Sequence, residues 1–245
     1  MSLLKLTKDD VQSRLASDKK LTKVDLSGLY LVEVDFTGAD LRGSTMNLTQ
    51  FEKCIFNDVD FSHGNLDRAF FLGCGLSGAS FTKTAAQGII FRDCEMIEVK
   101  VQSAKWRLCH LNRVNCERAL FKECDLQNSL FQGANFNGAD FTQTSLSLCA
   151  FRNCQLKNAN FTNADLDCAE MEGIDLSFAD LTRTRLLATN LANANLSGAV
   201  FEKSLLIGTV LAGIDPKQLK LQNAYQDSLV YQESEEETAT FQKEE

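Results

Sequence analysis

The residues best able to do chemistry in this 245-residue chain are nine cysteines and two histidines. Cys109 and His110 are adjacent, and a histidine beside a cysteine can activate the thiol as a nucleophile. Cysteines and histidines together can also bind a metal ion. The cysteine count is odd, however, no Cys-x-x-Cys pair occurs, and His63 is the only other imidazole. Either chemistry therefore depends on the elements that carry these residues.

Large apolar residues recur at every fifth position from Leu21 to Leu221, and only Ala86, Cys116 and Pro216 break the series. This period is neither the 3.6 of a helix nor the 2.0 of a strand, so it indicates a repeat architecture. Small residues, mostly Ala and Cys, lie two positions before the large ones. Residues two apart in an extended segment share a face. Each five-residue unit is therefore predicted to be a short strand with two inward residues, followed by a corner.

Many units share the motif Ala-(Asp/Asn)-(Leu/Phe)-x-x. Examples are Ala39-Asp40-Leu41, Ala159-Asn160-Phe161-Thr162-Asn163, Ala164-Asp165-Leu166, Ala179-Asp180-Leu181 and Ala194-Asn195-Leu196. With this motif in one register over residues 22–215, the chain resembles a pentapeptide-repeat protein. The resemblance implies an all-β fold, a right-handed quadrilateral β-helix with four units per turn, so that residues 20 apart stack. At roughly 4.8 Å per coil, about 9.5 coils would form a rod about 46 Å long.

This register explains the cysteines as packing residues. Eight of them are expected to face inward: Cys54, Cys74, Cys94, Cys109, Cys116, Cys124, Cys149 and Cys154. Cys54, Cys74 and Cys94 are 20 apart and should form a ladder, whereas Cys168 should be exposed. Cys109 and His110 should point in opposite directions, and His63 lies on another face of a convex rod. We therefore expect no enzymatic activity, no metal site and no cofactor.

The chain is divided into four predicted segments. They are a capping helix (1–21), the β-helix (22–215), a C-terminal cap or dimerisation segment (216–232) and an acidic disordered tail (233–245). Thr7 and Asp10 predict a capping box at the start of a helix over residues 7–17, with Leu6 and Val11 as the flanking hydrophobic staple.

Two further segments depart from the repeat. Residues 84–90 are its weakest units and predict a bend or bulge in the middle coils. After Asp215-Pro216 ends the repeat, Leu219 and Leu221 alternate like one last strand, and residues 224–231 are predicted to form a short helix.

Sorting the outward residues by face shows that negative charge is concentrated on one side. The face around Phe36, Phe56 and Leu76 carries seven acidic and two basic residues, a net charge of −5, whereas the other three faces carry 0, −1 and −1. Its candidate partner-binding residues, which we call the acidic face, are Asp35, Asp58, Glu95, Glu98 and Glu117.

The adjoining face carries apolar residues where other units have Asp or Asn. We call Phe70, Leu72, Ile90 and Leu130 the apolar stripe, and Arg92, Arg113 and Arg152 flank it. An apolar stripe rimmed by charge is typical of a protein interface. The alternative is a set of scattered surface hydrophobic residues, which are common on soluble proteins.

The C-terminal end, Leu211-Ala212-Gly213-Ile214-Asp215-Pro216 followed by Leu219 and Leu221, resembles that of the quinolone-resistance (Qnr) pentapeptide-repeat proteins. This resemblance implies a non-enzymatic DNA mimic that binds a type II topoisomerase, either DNA gyrase or topoisomerase IV, and does not bind nucleic acid itself. It also implies a homodimer, for which we select Leu219, Leu221, Tyr225 and Leu229. The projecting loops of Qnr proteins are missing, because the register never breaks.

The second function class is an interaction scaffold, such as a bacterial secretion-system accessory or an adaptor protein. Residues 6–25, a short helix leading into the first repeats, resemble pentapeptide modules attached to such systems, and the apolar stripe favours this class. No apolar run approaches the roughly 18 residues of a membrane span, and the N-terminus lacks the pattern of a signal peptide. We therefore expect a cytoplasmic protein with no membrane partner.

Overall fold

The structure, a computed structural model, describes residues 3–221 and 223–231. The backbone forms a four-sided β-helix, because four ladders of parallel pairs, beginning at Lys5, Lys20, Tyr30 and Asp35, all connect residues 20 apart. The pairing continues to Val230, which gives about 11 turns. The elements are β1 (Leu4–Lys5), α1 (Lys8–Ala16), β2 (Val24–Asp25), β3 (Tyr30–Val32), β4 (Gln50–Glu52), β5 (Phe70–Leu72), β6 (Ile90–Arg92), β7 (His110–Asn112), β8 (Leu130–Gln132), β9 (Ala150–Arg152), β10 (Leu205–Ile207), a 3₁₀ turn (Pro216–Gln218) and β11 (Tyr225–Asp227).

The large residues of the five-residue period fill the interior of the rod, as predicted. Phe51, Phe71 and Phe91 are completely buried and stack along the axis, with ring centroids 4.8 and 4.7 Å apart. Phe61 and Phe81 form a second stack at 4.5 Å with rings inclined by only 3°. Residues 20 apart are neighbours in space, so one aromatic side chain supports the next on the following coil.

The small inward positions accept hydroxyl groups as well as Ala and Cys. The Oγ1 atoms of Thr49, Thr184 and Thr209 donate hydrogen bonds of 2.9, 2.8 and 2.7 Å to carbonyl oxygens 23 residues earlier, on the preceding coil. Every buried side-chain nitrogen or oxygen in the described part of the chain has a hydrogen-bond partner. The hydroxyl groups of the interior threonines and serines are therefore satisfied by hydrogen bonds within the chain.

The corners explain why Asp and Asn precede the large residue. The Oδ1 atoms of Asp140, Asn160 and Asp180 each accept a 2.9 Å hydrogen bond from the backbone N–H two residues later. The residue after that donor adopts a left-handed conformation, as at Asn163 with φ +58° and Gly138 with φ +66°. Asn and Gly tolerate this region best, which accounts for their frequency at the corner.

The predicted bulge at residues 84–90 is wrong, since the ladder continues unbroken through Phe71, Phe91 and Leu111. The reason is complementary volume: Trp106 lies in the same column as Ala86, and both are completely buried. The indole ring stacks on Phe91 at 5.4 Å and its Nε1–H donates to Thr84 Oγ1 at 2.9 Å. A large residue beside a small one thus preserves both the packing and the register.

At the N-terminal end, the predicted helix and its capping box are confirmed. Helix α1 spans Lys8–Ala16, Thr7 is its N-cap, and the reciprocal bonds between Thr7 and Asp10 are both present. Leu6 and Val11 are buried, so the predicted staple also forms. Strand β1 pairs with Val24–Asp25 and adds a coil that the sequence did not predict.

At the C-terminal end, the predicted helix over residues 224–231 is wrong. Strand β11, Tyr225–Asp227, instead pairs in parallel with Leu205–Ile207, and Val230 bridges Val210. The open edge of the preceding coil supplies backbone partners that override local helix propensity. The only helical residues of this segment in the described part of the chain are the 3₁₀ turn at Pro216–Gln218. The predicted disordered tail, residues 233–245, lies outside the described residues.

Replacing Thr7 by alanine is expected to destabilise α1 by about 1 kcal/mol, because the N-cap oxygen that accepts from the Asp10 N–H is lost. Each coil of a solenoid contacts mainly its neighbours, so amide hydrogen exchange should rise in α1 and the first coil only. Ser13→Ala, at an exposed position inside the same helix, is the matched control and should leave exchange unchanged or slower. A rise spread evenly over the rod would contradict the expectation.

Candidate binding surfaces

The fold separates the cysteine side chains from the two histidines. Cys109 is completely buried and donates a 3.1 Å hydrogen bond to Ser129 Oγ, whereas His110 lies on the outer side of strand β7. His63 is exposed at a corner of another face. Cys54, Cys74 and Cys94 form the predicted buried ladder, and Cys168 is exposed. No cluster of three metal-ligating side chains occurs in residues 3–221 and 223–231.

Four residues of the acidic face lie in two columns along the rod, and Glu117 lies in a third. Asp35 and Glu95 lie in one column, connected by the bridges Asp35–Ile55, Ile55–Gly75 and Gly75–Glu95. Asp58 and Glu98 lie in a corner column two coils apart, both with positive φ. Hydrogen bonds from Thr37 hold the pKa of the Asp35 carboxyl below its ordinary value, so this group is charged at neutral pH.

Glu95, Glu98 and Glu117 come together on two neighbouring coils. Arg118 lies among them, with Nε 3.1 Å from Glu98 Oε1 and Nη1 3.4 Å from Glu117 Oε1. The side chains of this pair of bridges are 40–61% exposed, so solvent screens both of them strongly. Glu95 accepts a 3.0 Å hydrogen bond from Asn115 Nδ2.

The sequence shows a gap in the acidic residues of this face between Glu117 and Asp175, and the structure shows which side chains fill it. Between Glu117 and Asp175 the surface is occupied by amides, in which Asn135 Nδ2 donates to Asn115 Oδ1 at 3.0 Å and Asn137 Nδ2 donates to Gln155 Oε1 at 3.1 Å. The strongest cluster of carboxylates therefore lies in the middle of the rod.

The apolar stripe lies on the longest sheet among the described residues, the seven parallel strands β3–β9. Phe70 is paired directly with Ile90, while His110 separates Ile90 from Leu130. Phe70 is half-buried and Arg92 is stacked over its ring, 5.9 Å from the centroid. Leu72, on the same strand as Phe70, is also half-buried. The structure thus brings Phe70, Leu72 and Ile90 together.

Three exposed leucines next to the stripe were missed by the sequence reasoning. Leu48, Leu108 and Leu148 are 58%, 46% and 56% exposed and occupy the corner two residues before the stripe's column. Each has a positive φ, between +57° and +61°. The sequence could have revealed them, because each is a leucine at a corner position that Gly, Asn or a charged residue usually occupies.

The proposed dimerisation residues occupy the C-terminal end of the rod. Leu221 is buried, and Leu219 and Leu229 pack partly against the core of their own chain. Tyr225 is 61% exposed and stands above Leu205 in the pair β10–β11. Tyr225 is thus the member of this set whose side chain faces solvent.

Two models of pentapeptide-repeat families match the chain. The family described as "Pentapeptide repeat region" matches residues 44–121 and 104–181, and "Pentapeptide repeats (8 copies)" matches residues 20–58 and 184–215. The chain belongs to the pentapeptide-repeat family. Pentapeptide-repeat β-solenoids are generally structural or binding proteins without catalytic activity.

Solved pentapeptide-repeat proteins are similar over most of the chain. HetL, involved in heterocyst differentiation regulation in the cyanobacterium Nostoc sp. strain PCC 7120, is 25% identical, with 84% of this chain and 97% of HetL covered and a TM-score of 0.40. A trypsin-treated form of QnrB1, a plasmid-mediated fluoroquinolone resistance protein, is 20% identical, with 83% and 92% covered and a TM-score of 0.43. Rfr23 from the cyanobacterium Cyanothece 51142 is 15% identical, with 80% and 100% covered and a TM-score of 0.23. No curated protein sequence matches the chain significantly.

Among the described residues, the structure contains no helix with the length and apolar character needed to cross a membrane.

Proposed function

We propose that this pentapeptide-repeat protein is a non-enzymatic cytoplasmic binding rod whose acidic face occupies the DNA-binding channel of a type II topoisomerase, DNA gyrase or topoisomerase IV. The observation that carries the proposal is the concentration of charge: one of four faces has a net charge of −5 in a chain of net charge −8. A DNA channel is basic, so a rigid acidic rod is attracted to it over a long range.

The spacing of the charges favours a contact in the middle of the rod. Seven acidic residues over about nine coils amount to about one per 6 Å of axis, against one per about 1.7 Å in duplex DNA. Glu95, Glu98 and Glu117, however, lie on two neighbouring coils, about one carboxylate per 3 Å. The proposed mimicry therefore rests on this cluster, in which Arg118 neutralises part of the charge.

Replacing Glu95, Glu98 and Glu117 together by glutamine should weaken inhibition or protection of DNA gyrase by about 10-fold or more, since three exposed charges are lost without a change in volume. Arg118→Gln should act in the opposite direction and strengthen the effect, because the cluster loses its neutralising charge. Supercoiling and drug-induced cleavage assays at 50 and 200 mM salt would measure both, and the effect should weaken at the higher salt concentration.

The matched control is the triple variant Phe70→Ser, Ile90→Ser and Leu130→Ser, which leaves the acidic face intact and should retain the gyrase effect. The DNA-mimic proposal fails if micromolar full-length protein has no effect on gyrase or topoisomerase IV. It also fails if the glutamine variant and Arg118→Gln change the effect in the same direction.

We further propose that two chains associate through the C-terminal end, at Leu219, Leu221, Tyr225 and Leu229. Tyr225, Val230 and Tyr231 are 61%, 40% and 40% exposed there, beside the last parallel strand pair. Light scattering should give twice the 27.2 kDa of one chain, and Tyr225→Lys should restore the single mass. Tyr30→Lys, at a similarly exposed tyrosine on an earlier coil, should not. A monomeric parent protein would exclude the dimer.

The alternative function, an interaction scaffold such as a secretion-system accessory or an adaptor, is favoured by one specific observation. The apolar stripe lies on the longest sheet among the described residues, where Leu130 is 43% exposed and Phe70, Leu72 and Ile90 are half-buried. If the gyrase assays fail while the stripe variants abolish binding to a protein partner, the scaffold becomes the better account.

A further inference from the structure

We propose that one corner of the rod binds an amphipathic α-helix of a partner protein, with an apolar face flanked by Asp and Glu. The corner consists of Leu48, Phe70, Ile90, Leu108, Leu130 and Leu148, which we call the apolar corner. It uses a different surface from the acidic face and requires a partner of different chemistry.

The apolar corner is continuous over six coils. The exposed leucines lie two residues before the column of Phe70, Ile90 and Leu130, with one inward residue between the two columns. Each coil from Leu48 to Leu148 contributes one large apolar side chain, from one column or the other. At about 4.8 Å per coil, the surface is about 24 Å long.

Folding does not account for this arrangement. In the described chain four large apolar residues have a positive φ and more than 40% exposure, and three of them, Leu48, Leu108 and Leu148, lie at this one corner. An exposed leucine gains little from burial, and its left-handed backbone costs about 1 kcal/mol relative to glycine. Stability alone would favour Gly or Asn at all three positions, so their clustering indicates a surface kept for contact.

The arginines around the apolar corner indicate the charge of the partner. Along residues 67–153 the flanking positions carry five arginines (Arg68, Arg92, Arg107, Arg113 and Arg152) and two aspartates (Asp67 and Asp93). Arg107 and Arg152 are also paired with Asp125 and Glu170, at 2.7 and 3.4 Å. Arg113 is paired with Asp93 at 2.7 Å, so Arg68 and Arg92 are the two arginines of this set that make no ion pair with any described residue. A ligand with acidic residues on both sides of an apolar strip would complement this pattern.

The backbone of the corner excludes strand addition. Leu108 N donates to Gln127 O, His110 N donates to Ile89 O, and Leu130 N donates to Cys109 O, so these groups are already paired with the neighbouring coils. A ligand can therefore contact only the side chains of the corner, and its own backbone N–H and C=O groups must form hydrogen bonds within the ligand. A helix does so, and about 16 residues of helix span 24 Å.

The test is selection from a phage-displayed library of random 16-residue peptides on the immobilised full-length protein. The expected peptides are net negative, with Leu, Ile, Phe or Trp at i, i+3, i+4 and i+7. Binding of a selected synthetic peptide, followed by fluorescence anisotropy, should weaken at least 10-fold in the double variant Leu108→Ser and Leu148→Ser. Peptide binding should also weaken in the double variant Arg68→Gln and Arg92→Gln, and at higher salt concentration.

Phe178→Ser is the matched control, because Phe178 is 60% exposed with a φ of +59° on a different corner. It should leave peptide affinity unchanged, as should the glutamine variant of the acidic face, so this proposal and the topoisomerase proposal can fail separately. Circular dichroism would verify that each variant is folded.

Several results would overturn the proposal. The selection could enrich no peptide at all, or it could enrich basic peptides. A selected peptide could also bind the parent protein and the Leu108→Ser/Leu148→Ser variant with equal affinity. Enrichment of peptides resembling residues 232–245 would identify the chain's own tail as the occupant instead. A change from dimer to monomer in the leucine variant would identify a second copy of the chain.

Discussion

Replacing Phe71 by alanine is expected to lower the free energy of unfolding by about 3–5 kcal/mol, whereas the same change at the neighbouring Phe70 should cost about 1 kcal/mol. Phe71 is completely buried and contacts five aromatic rings, with Phe51 and Phe91 stacked above and below it. Its loss leaves a cavity that two rigid coils cannot close. Phe70 points outward and is only half-buried.

Urea unfolding followed by circular dichroism would measure both changes in the full-length protein. The pair is a direct test of the register, because the two variants have identical composition and differ by one position. Equal unfolding midpoints for Phe71→Ala and Phe70→Ala would contradict the inward and outward assignment, and with it the position of every surface residue.

The fold could be predicted from the sequence because each unit repeats the same physical requirements. The fifth-position residues must fill the axis, and the Asp or Asn before them accepts a backbone hydrogen bond at the corner, as Asp140 does from Thr142. What the period could not predict lies where local propensity competes with tertiary partners. Residues 224–231 looked helical, but the open edge of Leu205–Ile207 recruits Tyr225–Asp227 as a strand. Residues 84–90 looked too irregular for the repeat, but Trp106 fills the volume that Ala86 leaves in the same column.

The candidate surfaces were predictable only in part. Counting by 20 places Asp35, Asp58, Glu95, Glu98 and Glu117 on one face, but it cannot show that Arg118 pairs with two of them. It also places Phe70 beside Ile90. The leucines at the adjoining corner escaped notice because they belong to the preceding unit of the repeat, and two units meet at each corner.

The second large effect concerns the thiols. The native protein should react rapidly with a thiol reagent at one cysteine, Cys168, and at all nine after unfolding in denaturant. The other eight are buried, and burial raises the pKa of the Cys109 thiol to about 12 and raises that of Cys116 as well. A buried thiol is inaccessible to the reagent and reacts only when its coil opens, which slows labelling by about 10³-fold or more.

Cys168→Ser is the control, and it should remove the fast phase while leaving eight slow thiols. The order of slow labelling, read by mass spectrometry of alkylated peptides, tests the architecture further. A rod whose coils contact only their neighbours opens from its ends, so Cys54 should be labelled before Cys109 and Cys116 in the middle. More than one fast thiol in the native protein would contradict the buried ladder. Simultaneous labelling of all eight would instead indicate that the rod unfolds as a single cooperative unit.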